Sequence, residues 1–267
     1  MTAMETFDGG APLVLEPVVP PPHALLALTE AHRAAMEAVT LGLSRRLLDK
    51  APRGDGHPVM VLPGFLGADG YNAGFRRYLT KLGYAVHGWG LGRNLGPREG
   101  VLESLEERIT FLAERYDGPI SLIGHSLGGI FARELARAFP ERVRQVISLG
   151  SPFGEGRMIA SYPARLFSAL NPPEDLPIDQ GILHVAPPVP TTAIYSRGDG
   201  VVNWQTTLQR AGHALTQNIE VRGSHCGMTL NPAIWYLVAD RLSQPVDGWK
   251  PFERRSWTSL LYPAAAH

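Results

Sequence analysis

The run Gly124-His125-Ser126-Leu127-Gly128 sets a serine between two glycines, each two positions away. A serine hydroxyl attacks a carbonyl only when a base takes its proton and the backbone holds it out where a substrate can reach it. The five-residue pattern is weak alone, and its surroundings give it weight. An apolar stretch, residues 119–123 (Pro-Ile-Ser-Leu-Ile), runs directly into it, and a helical stretch, Leu127 to Phe139, runs directly out. At such a strand-to-helix turn the serine sits in a strained conformation above the carboxyl edge of a sheet, a nucleophile elbow. Glycines at 124 and 128 remove side chains that would collide with the adjoining strand and helix, and Gly129 adds room. The start of the helix points N–H groups and a positive dipole end at the same place.

A turn of this kind needs a parallel sheet beneath it, and the chain is patterned to build one. Short apolar runs alternate with longer helical ones, the signature of a parallel sheet covered by helices. The expected strands are 58–62, 84–89, 119–123, 143–149, 191–196 and 217–222. The expected helices between and after them are 71–82, 100–116, 127–139, 201–214 and 231–242. Before the sheet, residues 1–57 divide into a Pro- and Gly-rich arm, 1–22, and a helix over roughly 23–50. The helix is expected to use Leu25, Leu28, Met36, Val39, Leu43 and Leu47 as its apolar face. The core is expected over 58–243. Within it, 151–190 is too long for a plain connection and is expected to be a cap or lid, with Met158, Ile159, Tyr162, Leu166, Phe167 and Leu170 on one helix face. Residues 244–267, with Trp249, Phe252, Trp257 and Tyr262, are expected to pack back on the core.

Composition bounds the partners. The 267 residues are 44% hydrophobic and 19% charged, with twenty-five basic residues against twenty-five acidic ones. That balance lacks the basic footprint of a nucleic-acid binder. One cysteine, Cys226, excludes an internal disulfide framework or a cysteine-based metal cluster, and a lone thiol of this kind is expected to act as a small hydrophobe. No stretch approaches the length of a membrane span, and the acidic start Met1-Thr2-Ala3-Met4-Glu5 lacks the look of a signal peptide, so a cytoplasmic protein is expected. No residues have metal-ligand spacing and no glycine loop has a phosphate-binding pattern; no metal and no cofactor are expected. Oligomeric state is left open.

From about Val59 to Leu242 the chain resembles the α/β-hydrolase superfamily, on its lipase and esterase branch. The resemblance implies an α/β fold with a mostly parallel sheet of about six strands, a cap insertion, and a nucleophile, acid and histidine in that chain order. The matching positions are Ser126, Asp199 and His225. Asp199 lies in Ser196-Arg197-Gly198-Asp199-Gly200, just past an expected strand end; Asp175 and Asp179 fall in the insertion and Asp240 in a helix. His225 lies in the loop Gly223-Ser224-His225-Cys226-Gly227 after the last strand. His57 and His87 precede the serine, His184 lies in the insertion, His213 is expected to be helical, and His125 is expected to face away from the site.

The same resemblance implies an oxyanion hole from the backbone N–H groups of Leu127 and Phe65. Phe65 lies in Leu62-Pro63-Gly64-Phe65-Leu66-Gly67, where Pro63 departs from the histidine usual before that glycine. Phe65, Phe153 and Trp204, with Phe167 on the insertion's apolar face, are candidates to line an acyl pocket. The expected function is carboxylic-ester hydrolysis, of a small-molecule or lipid ester, through an acyl-enzyme on Ser126. An acyltransferase, or a thioester, lactone or amide hydrolase, could use the same residues, and a non-catalytic binding protein could keep the fold.

Overall fold

The computed structural model describes residues 19–158, 160–172, 182–209, 213–254 and 258–263. Pro58–Leu62 (β1) is buried at every position, as is Ile120–His125 (β3), because strands covered on both faces have no solvent side. With Ala85–Gly88 (β2), Val143–Leu149 (β4), Thr191–Tyr195 (β5) and Thr216–Glu220 (β6) they form one sheet in the order β2-β1-β3-β4-β5-β6. Every pair is parallel. The six strands match those expected to within one or two residues at each end.

Parallel neighbours need crossovers, and helices supply most of them. Ala73–Leu82 (α4) joins β1 to β2, Val101–Arg115 (α5) joins β2 to β3, and Leu127–Ala138 (α6) joins β3 to β4. Pro232–Leu242 (α8) follows β6. Two apolar layers result. On one face α4 and α8 bring Phe75, Leu79, Leu237 and Val238 against the sheet; on the other α5 and α6 bring Leu105, Ile109, Phe131 and Leu135. Along the tail, Phe252 and Tyr262 are buried with the first layer, and the Tyr262 hydroxyl donates to the Ala233 carbonyl at 2.8 Å. Trp257 lies outside the described residues.

Three expectations need correction. No α-helix covers 201–214 among the described residues; Trp204–Thr207 is a single 3-10 turn. The backbone there is claimed by side chains instead: Asp199 accepts from the N–H groups of Val201 and Val202, Asn203 accepts from that of Gln205, and Asn218 accepts from that of Gln209. Such local bonds compete directly with a helix ladder. Second, the helix after the N-terminal arm is real but broken into Ala24–Leu28 (α1), Glu30–Leu43 (α2) and Arg45–Leu48 (α3), and its apolar stripe faces outward. Leu28 and Leu43 are 82% and 83% exposed, while Glu30 is buried. Beneath the first two turns of α2 lies polar backbone, so Glu30, Arg33 and Glu37 dock there, and Leu41 farther along packs on the core. Third, among the described residues of 151–190 the α-helix is short, Ala164–Leu170 (α7), with Met158, Tyr162, Leu166 and Leu170 exposed and Phe167 turned inward. Ile159 lies outside the described residues.

Adjacent β1 and β3 send the chain in opposite directions, β1 toward β2 and β3 toward β4. The crevice outside their carboxyl ends is where open α/β sheets bind ligands.

Candidate active site

Ser126 stands at that crevice, on the turn from β3 into α6. Its φ of 52° and ψ of −121° lie outside the basins normal for a serine, a conformation that costs about 1–3 kcal/mol and is kept only where the surroundings impose it. Its N–H donates to the Leu149 carbonyl at 2.8 Å, tying the turn to β4. The flanking glycines are required by contact. A Cβ on Gly128 would sit 2.4 Å from the Leu62 carbonyl oxygen, and one on Gly124 would sit 2.3 Å from the backbone of Gly128 and Gly129. Backbone cannot yield as a flexible side chain can, so Gly128→Ala is expected to cost about 2 kcal/mol or more, read as a drop in thermal melting temperature.

Asp199 and His225 meet as a buried pair. Asp199 Oδ2 lies 2.6 Å from His225 Nδ1, and Oδ1 accepts from the N–H groups of Val201 at 2.9 Å and Val202 at 2.7 Å. Burial presses the His225 imidazole toward neutrality. The Asp199 carboxylate, by charge and hydrogen bond, and the Glu30 carboxylate outweigh it and raise the pKa above the ordinary 6.5.

His125 is not turned away from this group. Its ring packs at 4.9 Å on that of His225, with one ring nitrogen, Nε2, 3.0 Å from the His225 carbonyl oxygen. Burial and the neighbouring imidazole push its pKa down to about 3, so it stays neutral. Tyr71 stacks on the far side of His125 and donates its hydroxyl to the Cys226 carbonyl. The Cys226 thiol, partly buried, is pushed up to about 11 by burial and by the carboxylates of Glu30, Asp199 and Glu37, so it remains protonated.

The loop after β1 approaches Ser126 from the other side. A Cβ on Gly64 would lie 3.1 Å from that of Ser126, which places the Phe65 backbone beside the serine. Sequence reasoning missed what holds this loop. Asn94 is fully buried; its side-chain amide donates to the Pro63 carbonyl at 2.8 Å, its N–H donates to Gly67, and its carbonyl accepts from Leu66 at 2.7 Å. As the first residue of α6, Leu127 has an N–H with no acceptor within the helix.

A narrow cleft, partly open to solvent, leads to Ser126 between this loop and α7. Phe65, Leu127, Ile130, Met158, Phe167 and Leu183 are among its walls, and Phe65 and Phe167 meet edge to face at 5.5 Å. Of the pocket candidates Phe65 and Phe167 line it. Phe153 is fully buried beneath Arg133, whose guanidinium lies 3.8 Å from its ring centroid and donates to the Leu183 and Val185 carbonyls. Trp204 stacks on Tyr195 and borders a separate hollow with Pro20–Pro22 and His23. Among the described residues no group of three His, Cys, Asp or Glu side chains is placed to hold a metal ion.

Residues 57–174 match the α/β hydrolase fold family, and the described strands form one parallel sheet around the serine turn. The chain has the α/β-hydrolase fold. No curated protein matches it by sequence. Solved structures similar to it include lipase B of Aspergillus fumigatus, at 19% identity and a TM-score of 0.54, covering 72% of this chain. The match covers 53% of that lipase, about half its length. A pyrethroid hydrolase matches at 17% identity and a TM-score of 0.51, over 72% of this chain and 99% of its own. The mouse α/β hydrolase domain-containing protein 10 matches at 21% and 0.50, over 72% and 90%. Likenesses at these identities establish the α/β-hydrolase fold, and the chemistry rests on the residues above. No helix among the described residues is long and apolar enough to cross a membrane.

Proposed function

We propose that the chain is a serine hydrolase of carboxylic esters, esterase- or lipase-like, acting through an acyl-enzyme on Ser126. The observation that carries this is the buried Asp199–His225 pair at the same sheet edge as the strained Ser126 turn, with an apolar cleft opening on that serine. Asp199 accepts a hydrogen bond from the Nδ1–H of His225, which fixes that tautomer and leaves the Nε2 lone pair for the Ser126 hydroxyl. His225 removes that proton as Ser126 Oγ attacks the ester carbonyl, then returns it to the leaving alkoxide; water enters by the same route to release the acid. The N–H groups of Leu127 and Phe65 receive the oxyanion, and Asn94 keeps the Phe65 loop in place. The cleft offers few polar anchors, which suits an aliphatic or aromatic acyl group. The similar lipase and pyrethroid hydrolase are in keeping with an ester substrate.

A panel of p-nitrophenyl esters of graded acyl length tests this: turnover is expected, and folded protein inactive across the panel would contradict it. The pH profile gives a sharper check. Only neutral His225 can accept the proton, and Asp199 raises its pKa, so kcat/KM is expected to fall with decreasing pH along a limb of unit slope centred above pH 6.5. A midpoint well below 6.5 would mean that a different base is at work.

A further inference from the structure

The N-terminal helix has no part in the chemistry above, yet three charged residues on its inward side all reach the same two loops. Glu30, Arg33 and Glu37 fall at i, i+3 and i+7, one side of α2. Glu30 Oε2 accepts from the N–H of Gly200 at 3.1 Å, and Oε1 accepts from that of Cys226 at 2.8 Å. Arg33 donates to the Gly198 carbonyl at 2.5 Å and pairs with Glu30 at 2.6 Å. Glu37 accepts from the N–H of Ser224 at 2.6 Å. The bonded backbone groups are therefore those on either side of Asp199 (198 and 200) and on either side of His225 (224 and 226). A Cβ on Gly200 would meet Glu30 and the Leu26 backbone within 2.6 Å, so the acid loop lies directly against the helix. The two loops are also joined by the Ser196 hydroxyl, which donates to the Gly223 carbonyl, but that tie is farther from the reacting groups.

We propose that Glu30, supported by Arg33, is a positioning residue: one carboxylate spans the acid loop and the histidine loop and holds Asp199 and His225 at bonding distance. Burying a carboxylate is costly unless both oxygens are satisfied, and here two backbone donors and a guanidinium satisfy them. Its removal would free the two loops to drift, and a displacement near 1 Å at a reacting pair can cost about a hundredfold in rate. The inference rests on the serine-hydrolase reading of the site.

The test compares Glu30→Gln and Glu30→Asp with the wild-type chain on a p-nitrophenyl ester, together with fluorophosphonate labelling. Glutamine keeps the shape but sets an amide N–H₂ against a backbone N–H and removes the charge. Aspartate keeps the charge but is one methylene too short to reach both loops. Both variants are expected to lose about 10- to 100-fold in kcat, with KM within about threefold. The groups facing His225 are Asp199 on the acid loop, Glu30 and Glu37 on α2, His125 at the end of β3, Tyr71 before α4, and Cys226 on its own loop. Of these, Glu30→Gln alters one charge, so its acid limb should move to lower pH while that of Glu30→Asp stays near the wild-type position. A lowered melting temperature with kcat within twofold in both variants would overturn the proposal, as would an unmoved limb in an otherwise impaired Glu30→Gln. If Glu30→Gln does not fold, kcat of Glu30→Asp decides. Failure of the underlying reading looks different: the wild-type protein itself would be unlabelled and inactive, and the positioning role would fall with it.

Discussion

Ser126→Ala is expected to lower kcat/KM for p-nitrophenyl ester hydrolysis by about 10⁴-fold or more while leaving the melting temperature close to that of the wild-type chain. The loss should be that large because no other group is poised to form the acyl-enzyme: the Cys226 thiol stays protonated, its pKa pushed up to about 11. Stability should hold because the serine hydroxyl is on the cleft side of the turn, while the bond from the Ser126 N–H to Leu149, which anchors the turn, is made by backbone. Alanine retains the positive φ at a cost similar to that of serine. Activity within tenfold of wild type would remove Ser126 from the mechanism.

Asp199→Asn should be nearly as severe, for a reason visible in the hydrogen bonds. The asparagine carbonyl can go on accepting from the N–H groups of Val201 and Val202, as Asp199 Oδ1 does. Its amide then faces His225 Nδ1 as a donor, where the carboxylate was an acceptor. Nδ1 must present its lone pair, the ring proton moves to Nε2, and His225 can no longer take the Ser126 proton. A fall in kcat of about 10⁴-fold is expected, with the fold intact and KM little changed. The acid limb should also move to lower pH, since the carboxylate that raises the His225 pKa is gone. A loss of less than tenfold would show that His225 does not depend on this partner.

Much of the sheet could be read in advance because burial on both faces leaves a plain mark: β1, Pro-Val-Met-Val-Leu, is an unbroken apolar run. Ser126 was legible for a related reason. The contacts around Gly124 and Gly128 leave no room for a Cβ, and that steric demand is written as glycines at fixed spacing. Asp199 and His225 were reached through resemblance and chain order, and the structure brings their side chains together. Asn94 carried no such mark. It acts because the loop after β2 meets the loop after β1, thirty-one positions apart in the chain, and no local pattern records that meeting. The N-terminal helix misled by its own periodicity. Its leucines form a convincing apolar stripe, yet the surface offered to it was a set of backbone N–H groups, which attract carboxylates rather than methyl groups. In place of the helix expected over 201–214 the described residues hold one 3-10 turn, Trp204–Thr207, capped by Asn203, and beyond it the Gln209 N–H is taken by Asn218 on β6. Phe153 was misplaced because Arg133, four residues into α6 from Gly129, covers its ring from within the core.

The central claim is that Ser126 is an activated nucleophile. Intact-mass and peptide mapping of the folded chain after exposure to a fluorophosphonate tests it directly, since the reagent phosphonylates a serine, with loss of fluoride, only where a base withdraws its proton. A single adduct is expected, mapped to Ser126 and lost in His225→Ala. Folded wild-type protein that carries no adduct, or an adduct on another residue, would contradict it.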